Sequence, residues 1–148
     1  MKSFLTLATL LLAITANASF LGNWAGFGSW KFRGQGDGTH CPSMTMTWSE
    51  TSSSIGIEKG YFDCEVVGME LGQTNWKLQD GQLIDENNTV VGNYDGVHLA
   101  VEMPSPNEKT TISIHITRVA NHLEYQEVWY SAVEKVYVIE GRLFTSGQ

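Results

Sequence analysis

The stretch Leu21–Gly34, LGNWAGFGSWKFRG, decides the fold that we predict for this chain. Its glycines punctuate an apolar and aromatic run, which is typical of a long β-strand that bends. Side chains alternate between the two faces of a strand, so Trp24, Gly26 and Gly28 share one face. We expect this strand to start a closed antiparallel barrel, with Trp24 filling one end and the glycines marking places where the strand coils tightly.

Residues 1–18 are predicted to be a signal peptide. Lys2 supplies a positive charge, residues 4–14 form an apolar run, and residues 16–18 match a small-x-small cleavage site. The apolar run is far shorter than the ~20 residues that a membrane-spanning helix needs. We therefore expect an exported protein, periplasmic or secreted, with no membrane span and a single domain over residues 19–148.

The composition indicates one hydrophobic core and narrows the class of partner. The chain has 148 residues, a net charge of -7, five Trp and five Tyr. Aromatic side chains bury large surfaces, and a chain of this length fits one domain. Because nucleic acids and anionic membranes attract basic proteins, the acidic balance argues against both. Mild acidity otherwise indicates solubility and does not identify a partner.

Cys41 and Cys64 are the two cysteines of the chain. Export permits a disulfide, and an even count leaves no thiol over. The spacing matches neither a CxxC redox motif nor a zinc-binding cluster. We therefore expect a structural disulfide, which stabilises the fold by roughly 3 kcal/mol on the chain-entropy account, and no metal site.

The rest of the chain alternates apolar and polar residues over short runs, most clearly in residues 111–117. Tight turns are predicted at Asp80-Gly81, Asn87-Asn88 and Asp95-Gly96. Breaks within strands are expected at Lys59-Gly60 and at Gly68. About eight to ten strands joined by short hairpins require no helical crossover, so the sheet should be antiparallel and nearly sequential.

A sheet of that many strands must curl or close to remove its edges. We therefore predict an all-β fold, an antiparallel up-and-down meander barrel of about eight to ten strands with one disulfide. A two-sheet sandwich is the competing fold.

The opening strand also resembles that of a known group of barrels. Gly22-Asn23-Trp24 matches the Gly-x-Trp signature of lipocalins, and residues 22–28 are similar to the longer pattern that opens nitrobindin-type barrels. Both, like the fatty-acid-binding proteins, have the calycin-like architecture. The resemblance implies that Trp24 lies across the closed end of the barrel and packs against an Arg of the last strands. Arg142 is the expected partner, and Arg118 is the other candidate.

The nitrobindin resemblance further implies a haem held by a His late in the chain. The last His is His122, and His98, His115 and His122 fall on predicted strands or at a turn. A lone His on a strand face is usually a polar residue facing solvent or a satisfied core group. We therefore expect no cofactor.

A second resemblance is to secreted bacterial inhibitors of metalloproteases. Those proteins are small barrels with a signal peptide, a Gly-x-Trp start and one disulfide, and Cys41 here is likewise preceded by His40. In that family a short N-terminal trunk enters the protease cleft, and residues 19–21 are the corresponding segment. This resemblance implies a protein partner, with residues 34–40 and 104–109 as the longest contact loops.

The sequence contains no catalytic motif of the GxSxG, HExxH or phosphate-loop type. Glu124 and Glu127 are three apart, so on a strand they point to opposite faces. Glu124, Gln126 and His122 share a face, which we interpret as the solvated outside of the barrel, with a polar strip that lines a pocket as the alternative. We therefore expect that the protein is not an enzyme.

The side of the late strands that faces inward decides the character of the interior. If the inward set is Ile112, Ile114, Ile116, Leu123, Tyr125, Val136 and Val138, the interior is apolar. A small barrel is filled by its own side chains or leaves a cavity for one small ligand. Met adapts its shape and Trp offers flat contact. The residues predicted to line a cup at the open end are therefore Met44, Met46, Trp48, Trp76, Tyr125 and Trp129, with ordinary core packing as the alternative.

Three functions follow from these predictions. The first is an exported lipocalin-like protein that binds a small apolar or amphipathic molecule in the barrel. The second is a protein-binding barrel, such as a secreted protease inhibitor. The third is a structural component of the cell envelope.

Overall fold

The computed structural model describes residues 19–33, 36–106, 109–132 and 134–146, so the predicted signal peptide lies outside the described residues. The described residues form strands and turns, and no helix among them is long and apolar enough to cross a membrane. The strands are β1 Gly22–Phe32, β2 Thr39–Glu50, β3 Ser54–Cys64, β4 Val67–Leu71, β5 Thr74–Gln79, β6 Gln82–Ile84, β7 Val90–Tyr94, β8 His98–Pro104, β9 Thr111–Val119, β10 His122–Tyr130 and β11 Lys135–Thr145.

Ten of these strands close into an antiparallel barrel. The ring runs β1-β2-β3-β5-β6-β7-β8-β9-β10-β11, and β4 is attached to β3 alone. The last strand closes on the first in a register that runs from Trp24–Thr145 to Phe32–Tyr137. This closure leaves neither the first nor the last strand of the chain at an edge of the sheet. The predicted all-β up-and-down barrel is confirmed, and the sandwich is excluded.

Strand β3 has two partners along one of its edges. Residues 54–57 pair with β5 and residues 60–64 pair with β4. Strands β4 and β5 therefore take the place of one strand that is interrupted at Gly72-Gln73. This interruption leaves the outer edge of β4 without a strand partner among the described residues.

Glycines inside strands make room for neighbours here and do not break the strands. Strand β3 continues through Lys59-Gly60, where a break was expected, although its pairing with β2 shifts register at Glu58, and β4 continues through Gly68. A Cβ on Gly60 would lie 3.1 Å from the Thr45 carbonyl oxygen, and one on Gly68 would lie 2.2 Å from the Tyr61 hydroxyl. Those two expectations are therefore wrong.

The turn at Asp80-Gly81 is confirmed as a two-residue hairpin between Gln79 and Gln82. Both turn residues have positive φ, 50° and 79°, which is the backbone of a type I′ turn. Positive φ also occurs at Asn88 and Gly96, in the other two predicted turns. Residues that adopt positive φ in short turns thus determine these hairpin connections.

Gly26 and Gly28 let β1 approach β11 closely. A Cβ on Gly26 would lie 1.9 Å from the Arg142 carbonyl oxygen, and one on Gly28 would lie 2.0 Å from that of Glu140. The pairing of β1 with β2 also shifts register between these two glycines. Only glycine fits at such contacts, and the shift is a β-bulge whose extra residue lies in β2, between Cys41 and Met44.

The disulfide between Cys41 and Cys64 is confirmed. It joins the first part of β2 to the last residue of β3, and both cysteines are buried. The neighbouring Glu65 amide donates a hydrogen bond to the His40 carbonyl oxygen at 3.0 Å. The bridge therefore fastens one rim of the barrel.

The hydrophobic core lies inside the barrel. The isoleucines of β9, with Leu123 and Tyr125, face inward as predicted. In β11 the buried residues are Ile139 and Leu143, so alternation turns Val136 and Val138 to the outer face. Those two valines are only half-buried, and their predicted inward orientation is wrong by one residue.

Candidate functional site

One end of the barrel, which we call the closed end, is sealed by Trp24. Its ring is 1% exposed, and its indole Nε1 donates to the Phe20 carbonyl oxygen at 2.7 Å. Phe20 is fully buried and packs edge-on against Trp48 and Tyr94. The first described residues therefore belong to the barrel's own plug.

Arg118 takes the position over Trp24 that was expected for Arg142. The Arg118 guanidinium lies 5.4 Å from the centre of the Trp24 ring. Arg142 lies on the outer surface, where its Nη2 is 3.4 Å from Glu124 Oε1 and its side chain is 55% exposed. The physical reason is alternation: Arg142 directly precedes the inward-facing Leu143, so it must face outward.

Glu50 holds the N-terminal segment at the closed end. Glu50 Oε2 accepts hydrogen bonds from the Ser19 hydroxyl and the Phe20 amide, both at 2.7 Å, and Oε1 accepts one from the Tyr94 hydroxyl at 2.9 Å. Burial, followed by the bond to Glu50, raises the pKa of Tyr94 well above its ordinary value. The trunk of the inhibitor hypothesis, residues 19–21, is thus tied to the barrel through its first two residues.

The opposite end, which we call the open end, holds a cavity of about 550 Å³. Aromatic rings from three strands line it, those of Phe62, Trp129 and Tyr137. Aliphatic side chains supply most of the remaining wall, and the cavity residues of that kind are Ile57, Met69, Leu71, Met103, Ile112, Ile114 and Ile139. The barrel is therefore solid at the closed end and hollow at the open end.

The entrance to this open-end cavity lies between β4 and β8. The outer edge of β4 and the edge of β8 beyond Val101 have no strand partner in the described part of the chain. The strands between them are short, with six, three and five residues in β5, β6 and β7. Leu71 on one side and Met103 and Pro104 on the other line the cavity. The interruption of the β4–β5 strand thus leaves a side opening.

Glu127 is the polar centre of the open-end cavity. It is only 8% exposed, it lines the cavity, and it lies between Tyr125 and Trp129 on the inward face of β10. The Tyr125 hydroxyl donates a hydrogen bond to Glu127 Oε2, and the Trp129 indole Nε1 donates one to Oε1. Both carboxyl oxygens serve as acceptors, which is the bonding pattern of a carboxylate.

The Glu127 carboxylate helps to raise the pKa of two tyrosines. Burial, together with the charge of Glu127 and the hydrogen bond to it, raises the pKa of Tyr125 well above its ordinary value. Burial and the charge of Glu127 raise the pKa of Tyr137 to about 12. The phenol rings around Glu127 therefore stay protonated at neutral pH and act as hydrogen-bond donors or apolar surface.

Aromatic stacking fixes the rim of the cavity. The rings of Trp129 and Tyr137 lie 4.9 Å apart between centres, and Tyr137 is 6.2 Å from Trp30. Trp30 in turn lies 6.0 Å from Phe32. Rings at these spacings stabilise one another beyond their buried area, so this aromatic row stiffens the wall formed by β10, β11 and β1.

The residues predicted to line the cup divide between cavity and core. Trp129 lines the open-end cavity, and Tyr125 lies next to it, in contact with both Glu127 and Phe62. The other four predicted residues are buried in the core and do not line the cavity: Met44, Met46, Trp48 and Trp76. Met44, for example, occupies space beside Gly28 and Gly141, where added Cβ atoms would meet its sulfur at 2.5 and 2.6 Å.

Glu127 was missed by the sequence analysis although a signal for it was present. Leu123, Tyr125 and Trp129 were expected on the inward or ligand-facing side, and alternation puts Glu127 in the same row. A carboxylate in an otherwise apolar row is rare unless it has partners. Its neighbour Glu124 faces outward, as predicted, with Gln126.

The histidines lie away from the open-end cavity. His98 is exposed and its Nδ1 is 3.1 Å from Asp95 Oδ2, His115 contacts the Ser113 hydroxyl at 3.1 Å, and His122 packs against Phe144. No His lines the cavity among the described residues. The described part of the chain also brings together no group of three or more His, Cys, Asp or Glu that could hold a metal ion.

A wider depression of about 710 Å³ lies on the outer faces of β1, β9, β10 and β11. It is shallow and open to solvent, and its lining includes Phe27, His115, Glu124 and Arg142. Ligand sites are concave and bury most of the ligand. We therefore take the smaller open-end cavity as the candidate site.

The comparisons leave the family open. No protein-family model matches the chain, and the search of curated proteins gives no match. The closed antiparallel barrel is consistent with the calycin-like architecture that the opening motif implies.

Proposed function

We propose that this protein is an exported, lipocalin-like binder of one small apolar or amphipathic molecule, held in the open-end cavity. The observation that carries the proposal is a hollow of about 550 Å³ inside a barrel that is otherwise filled. Ligand sites have volumes of roughly 300–1,000 Å³, mostly apolar walls and a few placed polar groups. The aliphatic and aromatic lining with Glu127 at its centre fits that description.

The architecture around the cavity supports a binding role. The closed end is sealed by Trp24 and Phe20, so a ligand has to enter from the open end or from the side opening between β4 and β8. The stacked rings of Trp129 and Tyr137 hold one wall in place. A wall that is ordered before binding reduces the entropy lost when a ligand binds.

Export to the periplasm or the medium is part of the proposal. The disulfide between Cys41 and Cys64 supports it, because disulfides persist in oxidising compartments and are rare in the cytosol. The predicted signal peptide of residues 1–18 supports it independently. Fractionation of cells that express the full chain, followed by mass determination of the mature N-terminus, tests this part.

A matched pair of variants tests binding. Met103→Trp places a large ring in the cavity, whereas Ala100→Trp places the same ring on the outer face of the same strand, away from the cavity. Titration with a neutral naphthylamine dye, read by its fluorescence, should give saturable binding at one site in the natural protein and in Ala100→Trp. Met103→Trp should weaken that binding at least about tenfold, since it removes apolar contact area.

Two results would refute the proposal. One is the absence of saturable binding by the natural protein to any apolar dye or to lipid extracts of the cell envelope. The other is binding that Ala100→Trp abolishes and Met103→Trp leaves unchanged, which would move the site to the outer surface.

A further inference from the structure

The inside of the open-end cavity is acidic as well as apolar. Its lining includes two acidic residues, Glu127 and Glu70, and no Lys, Arg or His side chain lines it among the described residues. Glu70 is exposed at the side opening, whereas Glu127 is buried. A ligand held in the cavity therefore lies beside the buried Glu127 carboxylate.

Neutral groups of the protein hold Glu127 in place without balancing its charge. The partners of its two oxygens are a phenol hydroxyl and an indole N–H, and no ion pair joins it to a cationic side chain in the described part of the chain. A carboxylate offers about four lone-pair sites, of which two are used here. Burying a charge without an opposite charge is costly, so the pocket is suited to a ligand that brings a positive charge.

The walls beside Glu127 suit an organic cation. Phe62, Trp129 and Tyr137 supply aromatic rings in the same cavity, and cations are attracted to ring faces within about 6 Å of their centres. The aliphatic side chains fit an uncharged body. A fatty acid, by contrast, would place a second carboxylate beside Glu127 and be repelled by it.

We propose that Glu127 is the head-group site of the open-end cavity and that the ligand is an amphipathic organic cation, an ammonium group on an apolar body. This inference rests on the proposed function and names the chemical class of its ligand. The ammonium group would lie against the free lone pairs of Glu127, and its body would fill the space lined by Ile112, Ile114 and Met103.

Three probes that differ only in the head group test the inference. Decylammonium, decanol and decanoate are titrated into the natural protein at neutral pH, and binding is measured by calorimetry and by displacement of the naphthylamine dye. The ammonium probe should bind roughly tenfold to a hundredfold more tightly than decanol, because it gains contact with a desolvated charge and aromatic rings. Decanoate should bind more weakly than either.

Two variants that remove one negative charge each locate the effect. Glu127→Gln removes the charge inside the cavity, and Glu124→Gln removes one on the outer face of the same strand. The preference for ammonium over decanol should disappear in Glu127→Gln and persist in Glu124→Gln. Because both probes are measured on each variant, a general loss of binding through misfolding is separated from a loss of preference.

The outcomes distinguish the inference from the proposed function. Equal binding of decanol and the ammonium probe by the natural protein would overturn the inference and leave the binding function standing. A preference that survives in Glu127→Gln would do the same. Failure of all three probes and of the dye would overturn both. The comparison of probes on the natural protein needs no variant, so a Glu127→Gln protein that does not fold still leaves a decisive test.

Discussion

The guanidinium of Arg118 lies 5.4 Å from the centre of the Trp24 ring at the closed end of the barrel. Trp24 starts the first strand, and Arg118 stands near the end of β9, so two distant parts of the chain meet at the plug. Trp24 is almost fully buried, and a cation over a desolvated indole is worth up to about 2 kcal/mol. This contact closes one end of the barrel together with the hydrogen bond from the Trp24 indole to the Phe20 carbonyl oxygen. The other end is left for a ligand.

Replacing Arg118 should therefore destabilise the barrel more than replacing Arg142. We expect Arg118→Met to lower the free energy of unfolding by about 1–2 kcal/mol, because it removes the cation over Trp24. Arg142→Met, on the exposed outer face, should change it by less than about 0.5 kcal/mol. Urea unfolding followed by tryptophan fluorescence measures both. A larger loss for Arg142→Met would contradict the arrangement of the plug.

Adding a methyl group to Gly28 should cost more than adding one to Gly141. At Gly28 the new Cβ would meet the Glu140 carbonyl oxygen at 2.0 Å, so β1 and β11 must separate. At Gly141 the closest atoms belong to the flexible Met44 side chain, which can move. We expect Gly28→Ala to destabilise by about 3 kcal/mol and Gly141→Ala by about 1 kcal/mol.

Gly36→Ala is the control for this series, since nothing lies within 4 Å of its added Cβ. It should change the unfolding midpoint in urea very little. If Gly28→Ala were as stable as Gly36→Ala, the close approach of the two strands would be refuted.

Removal of the disulfide should destabilise the barrel without changing its topology. The bridge between Cys41 and Cys64 spans a sequence separation of 23 residues, and a loop of that size corresponds to roughly 3 kcal/mol on the chain-entropy account. The double variant Cys41→Ala, Cys64→Ala should unfold at lower urea concentration and keep its far-ultraviolet circular dichroism. The natural protein in reductant should match it, and a bridge of no consequence would leave both midpoints unchanged.

The stability of the protein should fall at alkaline pH. The pKa of Tyr137 is raised to about 12 by burial and by the charge of Glu127, whereas an unfolded tyrosine has a pKa of about 10. Between these values the unfolded chain loses the phenolic proton and the folded chain keeps it, so the unfolding free energy declines as pH rises. This contribution is fully present below pH about 10.

Tyrosinate absorbance measures the effect directly. Comparison of the natural protein with Tyr137→Phe assigns the step near pH 12. In Glu127→Gln the step should move to lower pH, since one cause of the shift is gone, and remain above the ordinary value because burial is the larger cause. If the pKa of Tyr137 were the same in Glu127→Gln as in the natural protein, the Glu127 carboxylate would lie too far from the Tyr137 hydroxyl to affect it.

The fold followed from local patterns in the sequence. Alternation along residues 111–117, the Asp80-Gly81 turn and the Gly-x-Trp start each agree with the structure, because a strand's faces and a hairpin's turn depend on neighbouring residues. The disulfide followed from there being one possible pair. Glycines within strands were harder to interpret. Gly60 and Gly68 look like breaks in the sequence, but each accommodates a group from elsewhere in the chain.

The candidate site was predicted only in part. The cavity lies at the end opposite Trp24, and Trp129 lines it. Four of the other predicted lining residues, Met44, Met46, Trp48 and Trp76, fill the core, because large flexible and aromatic side chains serve both purposes equally well. Which of these side chains lines a cavity depends on where the wall of the barrel is interrupted.

The sequence by itself determined most of the strand faces, the turns and an antiparallel sheet that had to curl or close, with Trp24 expected at one end. Only the tertiary structure decided that Arg118, and not Arg142, lies over the Trp24 ring. It also decided that the break between β4 and β5 opens the barrel wall and that the Glu127 side chain lines an otherwise apolar cavity. The physical reason is that alternation and turn type are local properties, whereas a cavity and its charge arise from residues brought together from distant strands. Trp24 identifies the closed end from a few letters of sequence, but the hollow at the other end exists only once the barrel has closed.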